Sequence, residues 1–453
     1  VSGMRMSLVD WCGARRASRV HAGVVLAFAV MRRRDFLLAT GASLLPVRAR
    51  AQTPMNVLVL IADDMRADLM GVAGNKLVRT PNLDRLARAG LYFPDAFVTT
   101  SVCPTSRASI MLGEYASRHK NIDFGTPLAA NQWETSYHGR LKAQGYRTGY
   151  IGKWGLGGPL PSGFDVFDGF AGPGKYIEAG RKHLTAHLAD RALEFITDQR
   201  DPYCLTVGFW APHAEPGPDP APAEERFRAL YRDADLTPAR TFSGTYNDDL
   251  PDSLKEAHSA SLFADQLATP ERYRAFLAGY LGLITGMDDA IGRILSAVDL
   301  DNTLVIFLSD NGFFLGEHGL PGKWLAFEES IRIPLIVKAP GVTGVSNELA
   351  LNIDVAPTIY GALGLRHRRD GHDLLRNRRD HFFYEYALAT FGAAGIRTRD
   401  KKFVIMPEHE FEMAFDLKAD PFEQNNLAQE NPDWVALLRE KVVARYGDTL
   451  LAD

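Results

Sequence analysis

The chain has 453 residues, of which 46% are hydrophobic and 23% charged, and its formal net charge is −4. This composition is typical of a globular protein large enough for one large domain and a smaller one, and it excludes a disordered or fibrous chain. A slightly acidic chain with scattered arginines gives no reason to expect nucleic-acid binding. The three cysteines, at positions 12, 103 and 204, are too few for a disulfide framework.

Residues 31–51 have the anatomy of a secretory signal: three arginines follow Met31, a short apolar stretch comes next, and an Ala-x-Ala sequence ends the segment. Within it, Arg-Arg-x-Phe-Leu resembles the twin-arginine export motif. The apolar stretch is too short to span a bilayer. We therefore expect a mature protein that begins near Gln52, is exported by the twin-arginine machinery to the periplasm or beyond, and is not stably inserted in a membrane. Residues 1–30 are interpreted as a translated upstream segment; the alternative is an amphipathic N-terminal helix packed on the domain.

Strand-like and helix-like stretches alternate from Met55 onward. Apolar runs predict strands at residues 56–61, 91–97, 146–151, 203–209, 303–308 and 335–337. Helical patterns occur at residues 81–90, 141–144, 183–197, 270–298 and 355–363. This alternation predicts an α/β sandwich around a mostly parallel sheet, with the functional groups beyond the carboxyl ends of its strands. Residues 216–261, rich in proline, aspartate and alanine, are expected to form a surface excursion near the rim of the site.

The pattern changes after about Arg379 to short strands separated by turns. These strands are predicted at residues 381–386, 394–398, 402–406 and 413–417, and a helix closes the chain. We therefore expect a catalytic domain over residues 52–379 and a small antiparallel C-terminal subdomain over residues 380–453.

A short stretch around Cys103 is the first candidate for chemistry. A helix is predicted to start at Cys103, with Pro104 in its first turn and the hydroxyl of Thr105 or Ser106 bonded to a free N–H group. A helix start attracts anions, and Arg107 lies one turn further on, so cysteine, helix end and guanidinium would converge. The alternative is a buried structural cysteine beside a surface arginine.

Two acidic pairs stand at predicted strand ends. Asp63-Asp64 follows the first strand, and Asp310-Asn311 follows the strand at 303–308. Carboxylates and an amide carbonyl from neighbouring strand ends provide the oxygen ligands that hard divalent cations prefer, and calcium fits best. Each pair alone would be read as a helix cap or a turn, whereas two pairs together indicate a metal site.

Basic side chains are expected at the same edge. Lys153 follows the strand at 146–151, His213 follows the strand at 203–209, and Lys323 lies a short loop beyond Asn311. A single lysine after a strand is usually solvated and a single histidine usually structural, but their common location suits an oxyanion substrate whose leaving oxygen needs stabilisation. His318 is a further candidate, equally well explained as a structural residue.

These motifs, in this order, resemble the sulfatase family of the alkaline phosphatase superfamily. The resemblance is carried by Asp63-Asp64, by Cys103-Pro-Thr-Ser-Arg107 with Gly113, by Gly152-Lys153-Trp154 and Pro212-His213, by Ser309-Asp310-Asn311-Gly312, and by Lys323 followed by Glu328-Glu-Ser-Ile-Arg-Ile-Pro-Leu-Ile-Val337. The stretch Phe415-Asp-Leu-Lys-Ala-Asp-Pro-Phe-Glu-Gln-Asn-Asn-Leu427 looks like the C-terminal signature of that family. The match covers nearly the whole expected mature chain.

The resemblance implies an alkaline-phosphatase-like α/β/α sandwich, one Ca²⁺ ion and a specific set of roles. Asp63, Asp64, Asp310 and Asn311 would bind the ion, and a formylglycine-generating enzyme would oxidise Cys103 to formylglycine, whose hydrate attacks sulfur. Arg107 would stabilise the hydrate, Lys153 and Lys323 would hold sulfate oxygens, and His213 would assist the leaving alcohol.

The implied activity is hydrolysis of a sulfuric ester, with a sulfated carbohydrate as the expected substrate. Two alternatives stay open: a phosphate or phosphonate ester hydrolase of the same superfamily, and an inactive protein that binds sulfated glycans. The alcohol part of the substrate and the oligomeric state do not follow from the sequence.

The chain departs from the family pattern at two positions. The family has proline two places after the cysteine, whereas here Pro104 is at the first place and Thr105 at the second. The family also commonly has a histidine two residues after the lysine matched by Lys153, where this chain has Gly155. His119 and His318 are the candidates to replace that histidine, and slow turnover is expected otherwise.

Overall fold

The computed structural model describes residues 54–158, 161–198, 202–238, 241–242, 250–259, 264–376, 378–386 and 392–450. The expected upstream segment and export signal, residues 1–51, lie outside this part of the chain. Thr53–Asp453 form one compact unit. Among the described residues, none of the helices combines the length and the apolar character needed to cross a membrane.

In chain order the strands are β1 (Asn56–Asp63), β2 (Leu91–Tyr92), β3 (Ala96–Phe97), β4 (Arg147–Lys153), β5 (Val166–Phe170), β6 (Tyr203–Pro212), β7 (Thr303–Ser309), β8 (Phe314–Leu315), β9 (Pro321–Gly322), β10 (Leu335–Lys338), β11 (Gly344–Val345), β12 (Ala350–Leu351), β13 (His381–Tyr386), β14 (Ala393–Thr398), β15 (Lys401–Met406) and β16 (Phe411–Asp416). The central strands β1, β4, β6 and β7 lie close to the apolar runs of the sequence.

The helices connect these strands. In chain order they are α1 (Pro81–Ala89), α2 (Cys103–Leu112), α3 (Ala116–His119), α4 (Ala130–Thr135), α5 (Tyr137–Ala143), α6 (Leu184–Thr197), α7 (Glu225–Arg228), α8 (Asp252–Ser259), α9 (Pro270–Ser296), α10 (Glu328–Ile331), α11 (Val355–Ala362) and α12 (Asp433–Leu450).

The main sheet has the strand order β11-β2-β10-β7-β1-β6-β4-β5. The five strands from β7 to β5 run parallel, while β10 pairs antiparallel with both β7 and β2. Because parallel strands end at one edge, this order brings the carboxyl ends of β7, β1, β6 and β4 side by side. The prediction of a mostly parallel sheet is confirmed.

The core consists of two layers, one on each face of the sheet. Along β1, Val57, Val59 and Ile61 pack in one hydrophobic cluster, whereas Leu58 and Leu60 pack in the other. Successive side chains of a strand point to opposite faces, so an uninterrupted apolar run is the pattern of a strand covered on both sides. The alternation therefore produces the predicted α/β/α sandwich.

The C-terminal part of the chain forms the small antiparallel sheet that the sequence predicts. Its strand order is β13-β14-β15-β16, and α12 packs on it through Val435, Leu438 and Val442. Backbone hydrogen bonds tie this sheet to the loop before α2, since the Glu385 amide donates to the Thr99 carbonyl over 2.9 Å. The sheet thus supports the segment that leads into Cys103.

One strand prediction needs correction, and the sequence analysis did not predict the edge strand β5. The predicted strand at 91–97 is two short strands, β2 and β3, separated by Phe93, Pro94 and Asp95. Pro94 has no N–H group for a ladder, which explains the break. The edge strand β5 is half-buried throughout, so its sequence lacks the continuous apolar run by which the central strands are recognised.

Candidate active site

Four strand ends place polar side chains at one edge of the sheet. Asp63 is the last residue of β1, Lys153 ends β4, His213 follows β6, and Asp310 follows β7. Because β7, β1, β6 and β4 are consecutive neighbours in the sheet, these side chains converge from four adjacent positions. The structure brings them together as the sequence predicts.

Helix α2 carries Cys103 into this cluster. The helix starts at Cys103 after the extended residue Val102, and Pro104 lies in its first turn. The predicted hydroxyl cap is wrong: the Ser106 hydroxyl accepts from the Asn352 side-chain amide over 2.9 Å, and the buried Thr105 hydroxyl has no hydrogen-bond partner among the described residues. The helix entrance is fixed by the fold around it and not by its own side chains.

The Cys103 sulfur is surrounded by oxygen atoms. It lies 3.3 Å from Oδ1 of Asp63, 3.6 Å from Oδ1 of Asn311 and 4.0 Å from Oδ1 of Asp64. The Lys323 ammonium approaches it to 2.8 Å. The side chain at position 103 therefore occupies the centre of the predicted site.

Arg107 lies fully buried beside this centre, which contradicts the alternative of a surface arginine. Its Nε donates to Oδ2 of Asp310 over 2.8 Å, and one terminal nitrogen donates to the Lys153 carbonyl over 2.8 Å. The other terminal nitrogen lies 3.5 Å from Oδ2 of Asp63. The guanidinium is thus held between β1, β4 and β7.

Asp64 adopts an unusual backbone conformation, with φ at 65°. Its amide donates to Oδ1 of Asp310 over 3.2 Å, and its carbonyl accepts from the Tyr280 hydroxyl. Its carboxylate contacts the Lys323 ammonium and the Asn311 amide. Left-handed backbone at a non-glycine residue costs about 1–3 kcal/mol and is concentrated at functional sites. Here that conformation turns the chain sharply after β1 and brings a second carboxylate to the centre.

Charges in the site balance one another. The buried carboxylates of Asp63, Asp64 and Asp310 face three buried cations, and these cations are Arg107, Lys153 and Lys323. A buried charge needs such a partner because desolvation otherwise makes it very costly. The residues therefore form one mutually dependent network.

The same charges set the protonation states. Burial raises the pKa of Asp63, but the positive charges of Lys153, His213 and Arg107 outweigh it and lower that pKa below its ordinary value. Burial, followed by the charges of Asp310 and Asp63, raises the pKa of the Cys103 thiol. The unmodified thiol therefore stays protonated and is a poor nucleophile.

The donor set suits a hard divalent cation. Asp63, Asp64, Cys103 and His213 each offer a ligand atom, and these atoms all lie within 4.8 Å of one another. The two carboxylates of this group supply the hard oxygen ligands, whereas a thiol and an imidazole alone would suit a softer metal. Oδ2 of Asp63 and Oδ2 of Asp64 are buried, and Lys153 and His213 form ion pairs with them. Buried carboxylate oxygens with spare acceptor capacity fit a metal ion, and oxygen-rich surroundings favour calcium or magnesium over softer metals.

A cavity of about 270 Å³ opens onto this cluster. Cys103, Lys153, His213 and Lys323 line its inner part. Three aromatic side chains, Phe124, Trp210 and Trp324, also line it, together with small residues, prolines and Glu215. The cavity thus has a cationic base for an oxyanion and an aromatic wall for the group attached to it.

Trp210 is a site residue that the sequence analysis missed. Its ring lies 4.2 Å from the His213 ring, and the Lys153 ammonium lies 4.5 Å from its centroid. It occupies the strand end three residues before His213, inside an apolar run that predicts only a buried strand. The sequence signal that could have identified Trp210 as a site residue is an aromatic side chain near the end of a predicted strand.

The two histidines proposed to replace the family histidine lie in other surroundings. His119 is buried, with Nε2 2.9 Å from the Ser109 hydroxyl and Nδ1 accepting from the Asn121 amide. His318 stacks on Phe327, with ring centroids 4.2 Å apart. Neither lines the cavity, and among the described residues His213 is the histidine that does.

Comparison with known families identifies the class of protein. Residues 55–365 match the family described as Sulfatase, and residues 316–444 match the family described as N-sulphoglucosamine sulphohydrolase, C-terminal. The chain belongs to the sulfatase family of the alkaline phosphatase superfamily, and it is an enzyme of the sulfatase class.

Individual relatives and solved structures agree with this assignment. An N-acetylglucosamine-6-O-sulfatase of Bacteroides thetaiotaomicron is 28% identical, over 84% of this chain and 84% of the relative. A structure described as a complex with its substrate D-glucosamine-2-N,6-O-disulfate has a TM-score of 0.73 at 24% identity, over 87% of this chain and 98% of that one. A phosphonate monoester hydrolase of Agrobacterium radiobacter has a TM-score of 0.74 at 23% identity, over 87% of this chain and 95% of that one. At these identities the two structures show the shared fold.

Proposed function

We propose that this enzyme hydrolyses sulfate monoesters at the centre built around Cys103, after that residue has been oxidised to formylglycine by a formylglycine-generating enzyme. The observation that carries the proposal is the position of the Cys103 side chain, which lies among Asp63, Asp64 and Asn311 and within 2.8 Å of the Lys323 ammonium. An aldehyde hydrate at that position would supply one hydroxyl to attack sulfur and a second to release sulfate as the aldehyde re-forms.

The basic residues bind the sulfate group in this proposal. Lys153 and Lys323 line the cavity together with Cys103, so their ammonium groups hold sulfate oxygens beside position 103. Arg107 keeps its guanidinium beside the nucleophile, because Asp310 and the Lys153 carbonyl fix it. Preorganised cations of this kind stabilise the charge that develops in the transition state.

His213 is placed to act on the leaving alcohol. It lines the cavity, and the Ala214 carbonyl lies 2.5 Å from its Nδ1, which fixes the ring. Its Nε2 faces the centre, 3.5 Å from Oδ2 of Asp64. Because Nδ1 faces a carbonyl oxygen and carries a proton, Nε2 acts as the acid from the imidazolium form, which gives its Nε2 proton to the alcohol oxygen as the S–O bond breaks.

Asp63, Asp64, Asp310 and Asn311 are the proposed ligands of one Ca²⁺ ion. Such an ion would polarise a sulfate oxygen and lower the pKa of the attacking hydroxyl. What supports this ligand set is that three buried carboxylates and a buried amide follow two neighbouring parallel strand ends.

A sulfated carbohydrate is the proposed substrate. The N-acetylglucosamine-6-O-sulfatase relative favours it, and the aromatic wall of Phe124, Trp210 and Trp324 suits the apolar face of a sugar ring.

We further propose that the mature chain begins near Gln52 after twin-arginine export to the periplasm or beyond, and that residues 52–379 and 380–453 are its catalytic domain and C-terminal subdomain.

Phosphate or phosphonate ester hydrolysis is the second candidate, because a phosphonate monoester hydrolase shares the fold over 87% of this chain. A phosphonate monoester and a sulfate monoester both present a tetrahedral centre with anionic oxygens. The metal site and the cations described above suit either.

The deciding experiment compares the hydrolysis of one aryl sulfate, the matching aryl phosphate and the matching aryl phosphonate by protein purified from its own host. We expect the sulfate to be cleaved with the highest kcat/KM, and mass spectrometry to show an aldehyde in the Cys103 peptide. Cys103→Ala should abolish the activity, while Cys204→Ala, a buried cysteine outside the cavity, should retain it. Preference for a phosphorus ester would favour the second candidate, and binding of a sulfated sugar without cleavage would favour a binding protein. A thiol at full occupancy in an active enzyme would exclude the formylglycine route.

A further inference from the structure

A second cleft, of about 740 Å³, lies apart from the catalytic cavity. Five arginines line it, and we call it the arginine cleft; they are Arg140, Arg366, Arg368, Arg369 and Arg376. The lining also includes one carboxylate, that of Asp373. None of the residues that line this cleft lines the catalytic cavity.

The cleft carries a surplus of positive charge on a protein whose formal net charge is −4. Asp373 lies 3.5 Å from Arg376, and Arg369 forms an ion pair with Glu114. Arg366 and Arg368 are exposed, and among the described residues no carboxylate lies within ion-pair distance of either. Two guanidinium groups are thus directed to solvent beside others that are already held in place.

The backbone of this basic segment is fixed. The amides of Asp370 and Gly371 both donate to the Gly113 carbonyl over 3.1 Å. Arg140 donates to the Arg366 carbonyl over 2.7 Å, and Arg369 donates to the Thr135 carbonyl over 2.6 Å. A charged surface that is already ordered loses little conformational entropy when it binds a ligand.

The cleft is anchored to the far end of the helix that carries Cys103. Gly113 caps the C-terminus of α2 and Cys103 begins it, so about 15 Å of helix separates the two ends at 1.5 Å per residue. The sites are therefore joined by one rigid element but are too far apart for a single sulfate group to contact both.

Planar guanidinium groups form paired hydrogen bonds with sulfate and carboxylate oxygens. Among the described residues, no large exposed hydrophobic side chain lines the cleft, which argues against a lipid surface. Its described lining also contains no Phe, Tyr or Trp, which argues against stacking of nucleic-acid bases. We propose that the arginine cleft binds a sulfated segment of a polymeric glycan and holds the enzyme on that polymer; the identity of the polymer rests on the proposed function.

The test is the affinity of the enzyme for a heparin oligosaccharide, with unsulfated dextran of equal length as the negative probe. The test variant is Arg366→Ala/Arg368→Ala. The matched control is Arg272→Ala/Arg274→Ala, which removes two exposed arginines from α9. All three proteins carry Cys103→Ala so that the ligand is not consumed.

We expect the Kd of the cleft variant for heparin to be at least about tenfold higher and to depend less on salt. Fewer counterions are released from heparin on binding when two arginine contacts are removed. The control should keep the original Kd. Equal affinities in the cleft variant and the control would overturn the proposal, and so would equally tight binding of duplex DNA by the original chain.

Turnover measurements separate this inference from the proposed function. With Cys103 intact, Arg366→Ala/Arg368→Ala should leave kcat/KM for a small aryl sulfate unchanged and raise the KM for a sulfated polymer. If the cleft variant loses heparin binding but the chain with Cys103 intact cleaves no sulfate ester, the proposed function is refuted and the proposal for the arginine cleft stands. Unchanged heparin binding in an active sulfatase would refute the cleft alone.

Discussion

Gly155 lies so close to Arg107 that no side chain fits between them. A Cβ atom at position 155 would lie 2.9 Å from Cδ of Arg107 and 3.4 Å from Cε of Lys153, and the backbone φ at this residue is 71°. The position at which the family commonly has a histidine is therefore held by glycine, because the buried guanidinium occupies the space.

Gly155→Ala should consequently lower both stability and activity. The left-handed backbone disfavours alanine by about 1–3 kcal/mol, and displacement of Arg107 from Asp310 should reduce kcat at least about tenfold. Thermal unfolding and steady-state kinetics measure the two effects. Gly74→Ala is the matched control, since its φ is 91° but its Cβ would meet no atom of the described residues within 4 Å. We expect that variant to lose stability and keep kcat; full activity in Gly155→Ala, or a gain in Gly155→His, would contradict the argument.

Lys323→Met tests the ammonium that lies beside Cys103. Lys323 contacts both the Cys103 sulfur and the Asp64 carboxylate, so its loss removes a cation from the developing charge and should reduce kcat/KM about 10²–10³-fold. Lys338→Met is the control, because Lys338 donates to the Leu300 carbonyl over 3.3 Å and is not part of the cavity. Circular dichroism at the assay temperature shows whether the variant is folded. A loss of similar size in both variants would indicate a stability effect instead.

The sequence allows the fold and the polar centre to be predicted because both depend on local patterns. Asp63 and Asp310 each follow an apolar run, and parallel strands end at one edge, so their proximity follows from the topology. Burial of Arg107 does not follow, since it depends on acceptors in β4 and β7 that only the folded chain brings near. The arginine cleft could not be predicted from the sequence for the same reason, since Arg140 and Arg366 are 226 positions apart in the chain and meet only after folding.

Trp210 should prove to be a positioning residue for Lys153 and His213. Its ring contacts both side chains, with His213 4.2 Å and the Lys153 ammonium 4.5 Å from its centroid. Trp210→Leu should lower kcat about tenfold, because the lysine loses a cation–π contact and the histidine loses its stacking partner. Trp210→Phe keeps an aromatic face and should retain most of the activity.

A merely structural role would give a different result. In that case both Trp210 variants would lose thermal stability in proportion to the side-chain volume removed, and their pH–rate profiles would match that of the original enzyme. We expect instead that the profile shifts in Trp210→Leu, since the surroundings of His213 change.

Calcium should stabilise the protein through the carboxylate cluster. A ligand that binds only the folded state adds about 2.7 kcal/mol at a hundredfold excess over its Kd, which corresponds to a rise in Tm of at least about 2 °C. Chelation should reverse the rise. Asp63→Asn should abolish the response to calcium, whereas Asp233→Asn, at an exposed position, should preserve it. A calcium response that survives in Asp63→Asn would place the ion elsewhere.

His138 should make the folded state sensitive to mild acid. It is completely buried, with Nε2 2.8 Å from the Thr206 hydroxyl, and burial lowers its pKa from 6.5 to about 3. Between these two values the unfolded chain takes up a proton that the folded chain excludes, so the free energy of unfolding falls as the pH falls. At pH 5 the loss from this residue is about 2 kcal/mol relative to pH 7.

His138→Gln keeps an amide donor near Thr206 but does not titrate, so urea unfolding at pH 7 and pH 5 should show a smaller loss in this variant. His187→Gln is the matched control, since His187 is exposed on α6 and its replacement should leave the acid dependence of the original protein unchanged. The comparison uses the difference between the two pH values within each protein, so a general destabilisation by the substitution cancels. An identical pH dependence in His138→Gln and the original protein would mean that His138 is protonated in the folded state, and therefore that its burial does not exclude the proton.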